Sequence, residues 1–150
     1  MRLLAFVALA LVLGCDPGYE FRPDGVKLDD KGRWKASVAG VQLTGRNLMG
    51  LIGETWLSDE FRATNDSSEE FTIDDAVLIV DGKQMPMKRV GVDPRWWMVP
   101  PKTKDKPVMV SWDFGNATAP KVLGQECTIV IHAHRGTLHD RLVTRYLRTE

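Results

Sequence analysis

The stretch Val108-Met109-Val110-Ser111-Trp112-Asp113-Phe114 places Val108, Val110, Trp112 and Phe114 on one face of an extended chain and Met109, Ser111 and Asp113 on the other. Successive side chains of a strand point to opposite sides, so a period of two marks a half-buried strand. The pattern recurs on either side. Cys127, Ile129, Ile131 and Ala133 share a face opposite Thr128, Val130, His132 and His134. Leu57, Asp59, Phe61 and Ala63 alternate with Ser58, Glu60 and Arg62. Ala76 to Val80 is a continuous apolar run, as expected of a central strand, and Asp81-Gly82 signals a hairpin after it. Arg135-Gly136 is the turn before a last strand, Leu138 to Leu147. Beyond residue 14 no window keeps a helical period for three turns, and Asn47 to Gly53 allows at most a single helical turn. About seven or eight short strands at roughly ten-residue spacing predict an all-β antiparallel β-sandwich. A closed Greek-key barrel is the structural alternative.

The length of 150 residues suits one domain. Twenty basic residues balance twenty acidic ones. That balance argues against nucleic acid as a partner, which usually requires a basic excess. A hydrophobic content of 43% is ordinary for a globular chain and argues against disorder. Two cysteines exclude a disulfide-dense scaffold.

The first residues read MRLLAFVALALVLGC, with Arg2 followed by an uncharged apolar run from Leu3 to Leu13. As a helix this run would span only about 16 Å, roughly half a bilayer core. It is short for a transmembrane anchor and right for the apolar region of a signal peptide. Val12-Leu13-Gly14-Cys15 resembles the lipobox of bacterial lipoproteins, and Leu13 is slightly bulkier than that pattern prefers. The resemblance implies cleavage before Cys15 and a lipid anchor, palmitate among its acyl chains, on that residue. It places the protein on a bacterial membrane, facing the periplasm or the cell exterior. Asp16 resembles the signal for retention at the inner membrane in enterobacterial-type sorting, a rule that varies between bacteria, and the choice of membrane stays open. The expected organisation is a signal peptide over 1–14, a lipidated tether over 15–33 and a sandwich domain over 34–150. Pro17-Gly18, Pro23-Asp24-Gly25 and Asp29-Asp30-Lys31-Gly32 are the breakers that define the tether, although a first strand around Val26 to Leu28 is compatible with it. With Cys15 lipidated, Cys127 has no intramolecular partner and reads as a small buried residue.

The segment from Glu60 to Phe114 resembles immunoglobulin-like modules of bacterial envelope proteins. A strand ends in Ala63-Thr64-Asn65-Asp66-Ser67-Ser68, the next carries Phe71-Thr72-Ile73, and Val99-Pro100-Pro101-Lys102 leads into the strand from Val108. The resemblance implies architecture only, because the Cys…Trp…Cys signature of antibody domains is missing.

Four features carry candidate chemistry. All three histidines, His132, His134 and His139, fall within eight residues. Imidazoles grouped in this way can ligate zinc or copper, although no fourth ligand is evident; solvated hairpin histidines are the plainer reading. Met85, Met87 and Met98 are soft copper ligands or, more simply, core filler. Arg95-Trp96-Trp97-Met98 sets two indoles side by side. On a strand they would point oppositely, so one stays at least partly exposed and marks a contact surface; two indoles packed under a long loop are the plainer reading. Finally, residues 54–82 hold nine acidic residues and one basic, whereas residues 83–106 hold seven basic and two acidic. Adjacent strands would let these stretches neutralise each other. The acidic run Asp66-Ser67-Ser68-Glu69-Glu70 with Asp74-Asp75 lacks the regular loop spacing of calcium motifs. Asn65-Asp66-Ser67 and Asn116-Ala117-Thr118 fit the glycosylation pattern and read as turns.

No nucleophile elbow, phosphate-cradling glycine loop, Cys-x-x-Cys or His-Glu-x-x-His occurs. The expected function is therefore non-catalytic: a membrane-anchored binding or scaffolding module at the cell envelope, with an envelope protein as partner. Its expected surface is Arg95, Trp96, Trp97, Lys102 and Lys104, without a cofactor. The alternative is a periplasmic copper or zinc module built on His132, His134 and His139.

Overall fold

Alternation becomes burial where two sheets can face each other. The computed structural model describes residues 18–88 and 93–149, so residues 1–14 and Cys15 lie outside the described residues. One sheet contains β1 (Gly18–Pro23), β4 (Leu48–Leu51), β6 (Phe71–Val80), β7 (Lys83–Pro86), β8 (Met98–Val99), β10 (Glu126–Arg135) and β11 (Leu138–Arg148). Its order is β4-β1-β11-β10-β6-β7, with β8 paired to β6. The other sheet runs β2 (Trp34–Val38), β3 (Val41–Gly45), β5 (Trp56–Asn65), β9 (Thr103–Asp113). All pairings among the described residues are antiparallel. The fold is all-β, with two separate sheets rather than the single closed sheet of a barrel.

The eleven strands among the described residues exceed the expected seven or eight because β1, β4, β7 and β8 are only two to six residues long. β4, β7 and β8 are too short to display a period, and β1 lies between breaker residues. Two expectations are corrected here. Leu48–Leu51 is an edge strand rather than a helical turn. Part of the expected tether, Gly18–Pro23, is a strand inside the sheet, paired to β11 and β4, with Tyr19, Phe21 and Pro23 buried. Breaker residues flank this strand, and Tyr19 and Phe21, two apart, supply its apolar face. The short helix α1 (Ala119–Leu123) was also not foreseen.

The inward residues match the alternation. Val108, Val110 and Trp112 are buried, as are Cys127, Ile129, Ile131 and Ala133, and Leu57, Asp59, Phe61 and Ala63. Trp34 meets Phe61 edge-on across 5.7 Å. In β6 the expected continuous run alternates instead: Ala76, Leu78 and Val80 are buried, while Val77 and Ile79 are only half-buried on the outer face. Asp81 and Gly82 turn the chain into β7, both with positive φ, as the two-residue hairpin there requires.

The register defines two ends of the sandwich. At the first, Gly18 pairs with Leu51, Phe21 with Arg148 and Trp56 with Asp113, and the Ala119 amide at the start of α1 donates to the Glu54 carbonyl at 2.6 Å. We call this the N-terminal pole. At the opposite, hairpin pole, the Ala39-Gly40 turn docks on the β10–β11 hairpin. The Ala39 amide donates to Asp140 at 2.9 Å, and Arg135 Nε donates to the Ala39 carbonyl at 2.8 Å. Asn65 is fully buried at this pole. Its side-chain amide donates to the carbonyls of Glu69, Val99 and Pro100, while Oδ1 accepts from Ser67.

Asp59 is the polar exception on an inward face. It belongs to β5 and is reached across the core by the Tyr146 hydroxyl of β11 at 3.2 Å. Burial disfavours its charged form and pushes its pKa up to about 8, against the smaller opposing effect of the Tyr146 hydrogen bond. The folded state therefore binds a proton that the unfolded carboxyl, with a pKa of about 3.9, releases earlier. This stabilisation is complete below the unfolded pKa and is lost as pH rises to about 8. Chemical denaturation across pH 4 to 8 is expected to show stability falling with pH. In Asp59→Asn, whose amide cannot titrate, that slope should disappear; an unchanged slope would show that another group carries it.

Candidate functional site

The outer face of the larger sheet, toward the hairpin pole, brings together a carboxylate and two imidazoles. β10 and β11 pair His134 directly with His139, and the two rings lie 5.4 Å apart between centroids, tilted by 31°. The third member is Asp74. His132 pairs with Asp75 but Ala133 pairs with Ile73, so Asp74 is the extra residue of a β-bulge. The bulge lies between buried Ile73 and buried Ala76 and leaves Asp74 exposed, where its Oδ1 stands 2.7 Å from His134 Nδ1. One ligand atom from each of Asp74, His134 and His139 lies within 4.8 Å of the others.

A tetrahedral zinc with bonds of about 2.0–2.1 Å holds its donors about 3.4 Å apart. Asp74 Oδ1 and His134 Nδ1, at 2.7 Å, stand closer than that, so a metal would part them and replace their hydrogen bond. Three protein ligands leave a position for water or a further ligand. His132 faces Asp75 and Arg141 across the ladders and lies outside the set. The structure thus keeps two of the three histidines expected to act together and adds an aspartate. Asp74 was legible only as part of an acidic run, because a bulge breaks the alternation that would place it.

Trp96 ends a 3₁₀ turn over Pro94–Trp96 and Trp97 caps its C-terminal end, so the pair is not on a strand. Asp93 caps the turn: its Oδ1 accepts from the Arg95 amide at 3.0 Å, and its carboxylate also holds the Arg95 guanidinium. That pairing holds the Asp93 carboxyl below its usual range, the side-chain contact with Arg95 being the main cause. Trp97 is buried at 8% exposure and its carbonyl accepts from the Ile73 amide of β6. Trp96 is exposed at 38%. The expectation of one inward and one outward indole matches this burial, but the cause is the turn rather than strand alternation.

The basic residues expected beside the indoles are differently engaged. Lys106 reaches the Arg95 carbonyl with Nζ. Lys102 sits at a positive φ of 55° and donates to the Asp66 carbonyl at 2.6 Å. Lys104 is exposed on β9, and Asp105 next to it forms an ion pair with Arg62 at 2.9 Å. The acidic and basic stretches of sequence do not form separate faces. β7 and β8 lie on β6, and β9 lies on β5, so the two stretches interleave. Met85 and Met87 pack partly buried against the core. Cys127 is buried, and burial pushes its thiol up to about 12, which suits an inert core residue.

No family model, curated protein or solved structure matches the chain. Among the described residues no helix is long and apolar enough to cross a membrane.

The two indoles should separate cleanly on substitution. Trp97→Ala empties a core position and is expected to lower unfolding stability by about 3–5 kcal/mol. Trp96→Ala should stay within about 0.5 kcal/mol of the parent in the same denaturation experiment.

Proposed function

We propose that this chain is a bacterial lipoprotein, held at the envelope by a lipidated Cys15, whose immunoglobulin-like sandwich is a non-catalytic binding or scaffolding module. Two antiparallel sheets with chain crossings between them, at β1–β2, β3–β4, β4–β5, β5–β6, β8–β9 and β9–β10, support the immunoglobulin-like reading at the level of architecture. The observation that carries the binding reading is the Asp93-capped turn. It buries one indole and so holds its neighbour, Trp96, outward beside Arg95. A rigidly presented indole contributes contact area at little entropic cost, which is why such residues dominate interfaces. Crosslinking in intact cells, with Cys15 native, should capture a specific envelope protein. Capture should be lost in Trp96→Ala, whereas Cys15→Ser should shift the protein out of the membrane fraction. Undiminished capture with Trp96→Ala would remove this surface from consideration.

A second reading has its own observation, the convergence of Asp74, His134 and His139. Under it the module binds zinc or copper. Calorimetric titration of the purified protein with each ion should then give about one site per chain. Binding should be lost in Asp74→Asn and His139→Ala and kept in His132→Ala. Equal loss in His132→Ala, or no saturable binding to the parent, would exclude the cluster as a metal site.

A further inference from the structure

We infer that the N-terminal pole of the sandwich is seated on the lipid bilayer, with Met49, Leu51, Ile52 and Trp56 in the interfacial layer. The inference rests on lipidation of Cys15. It concerns how the domain stands on the membrane, which that reading leaves open.

The first observation is the distribution of exposed apolar side chains. Eight large hydrophobic residues are exposed among the described residues, and four of them fall within residues 49–56: Met49 at 65%, Leu51 at 47%, Ile52 at 40% and Trp56 at 50%. Met49 and Leu51 are two apart on the edge strand β4, so they project from the same face. Ile52 lies in the turn that follows, and Trp56 opens β5 on the other sheet. An apolar groove lined by Thr55, Trp56, Met109 and Trp112 lies beside it. Single exposed hydrophobics are normal on a soluble surface, whereas a contiguous group marks a contact.

The second observation is how few residues separate Cys15 from this pole. Gly18, the first described residue, is the ladder partner of Leu51. Cys15 precedes it by three residues, which at full extension cover at most about 11 Å. A lipid on Cys15 therefore lies within that reach of the patch, and the domain has no room to stand away from the surface. An edge strand with apolar side chains is otherwise an aggregation liability, and an interface that covers it removes the liability.

Charges of both signs stand at this pole, with Glu20 and Arg148 lining a pocket beside Met49 and Leu51, so the seat inferred here is on a neutral lipid surface. Lys88 pairs with Asp113 at 2.9 Å, and Glu20 and Glu54 stand among the apolar residues. Tryptophan at the headgroup level, with aliphatic side chains below it, suits a neutral interface. In this orientation the hairpin pole, with Asp140, Arg135 and the Asp74-His134-His139 cluster, points away from the membrane.

The test uses the full mature protein purified from membranes and reconstituted in phosphatidylcholine vesicles, with a nitroxide on Leu51→Cys or, at the other pole, on Leu138→Cys. Acylated Cys15 and buried Cys127 do not compete for the label. Mass spectrometry of each sample reports whether Cys15 carries acyl groups. The expected result is an acylated protein whose label at 51 is several-fold more accessible to oxygen than to a water-soluble nickel chelate, with the reverse at 138. An acylated protein with both labels in water would overturn the inference and leave the anchor intact. Absence of acyl mass overturns the anchor reading and this inference with it. A retained leader that shields the label at 51 without vesicles would show the patch covered by the chain itself, which also overturns it.

Discussion

The inward faces of β5 and β9 on one sheet, and of β6, β10 and β11 on the other, leave water only by facing each other. Each of these strands is ten or eleven residues long; β5, β6 and β10 bury a side chain at nearly every second position, β9 does so from Val108 to Trp112, and β11 through Thr144 and Tyr146. That mutual burial fixes register, because a slip by one residue would turn every inward side chain out. It also decides what Asp59 is. The same alternation that buries Leu57 and Phe61 takes a carboxyl into the core, where Tyr146 of the facing sheet is its hydrogen-bond partner. A protonated acid is what such a position tolerates, since an isolated buried charge is far more costly.

Where the alternation fails, chemistry reaches the surface. The bulge at Asp74 lets buried Ile73 and Ala76 both stay inside although they are three residues apart. The extra residue is placed outward beside His134, and the β10–β11 hairpin supplies His139 opposite. The cluster is thus a by-product of matching one irregular strand to a regular neighbour. Bulges re-aim single side chains in this way. The capped turn at Asp93 acts similarly by presenting Trp96 through the burial of Trp97.

The two poles differ in character. The hairpin pole is closed by polar contacts between turns, with Asp140, Arg135 and Asn65 each satisfying backbone groups of another segment. The N-terminal pole combines the start of the described chain with its densest group of exposed apolar residues.

Much of the architecture was legible in the sequence. Period two in residues 57–63, 108–114 and 127–133 determined that these are strands and which side chains they bury, because a pleated chain has only two faces. Asp81-Gly82 and Gly136 located two hairpins, since few residues adopt positive φ cheaply. The split between a buried Trp97 and an exposed Trp96 comes from a turn, and strand alternation gave the same outcome for a different reason. The short strands β1, β4, β7 and β8 were not legible, because segments of that length are held by their neighbours and not by their own pattern. Nor was Asp74, because a bulge exists only in relation to the strand paired with it. Which histidines meet, which basic residues are already engaged, and the convergence of Gly18, Leu51 and Trp56 at one pole were all decided by tertiary structure. Each depends on groups far apart in the chain, and only the pairing of sheets brings them together.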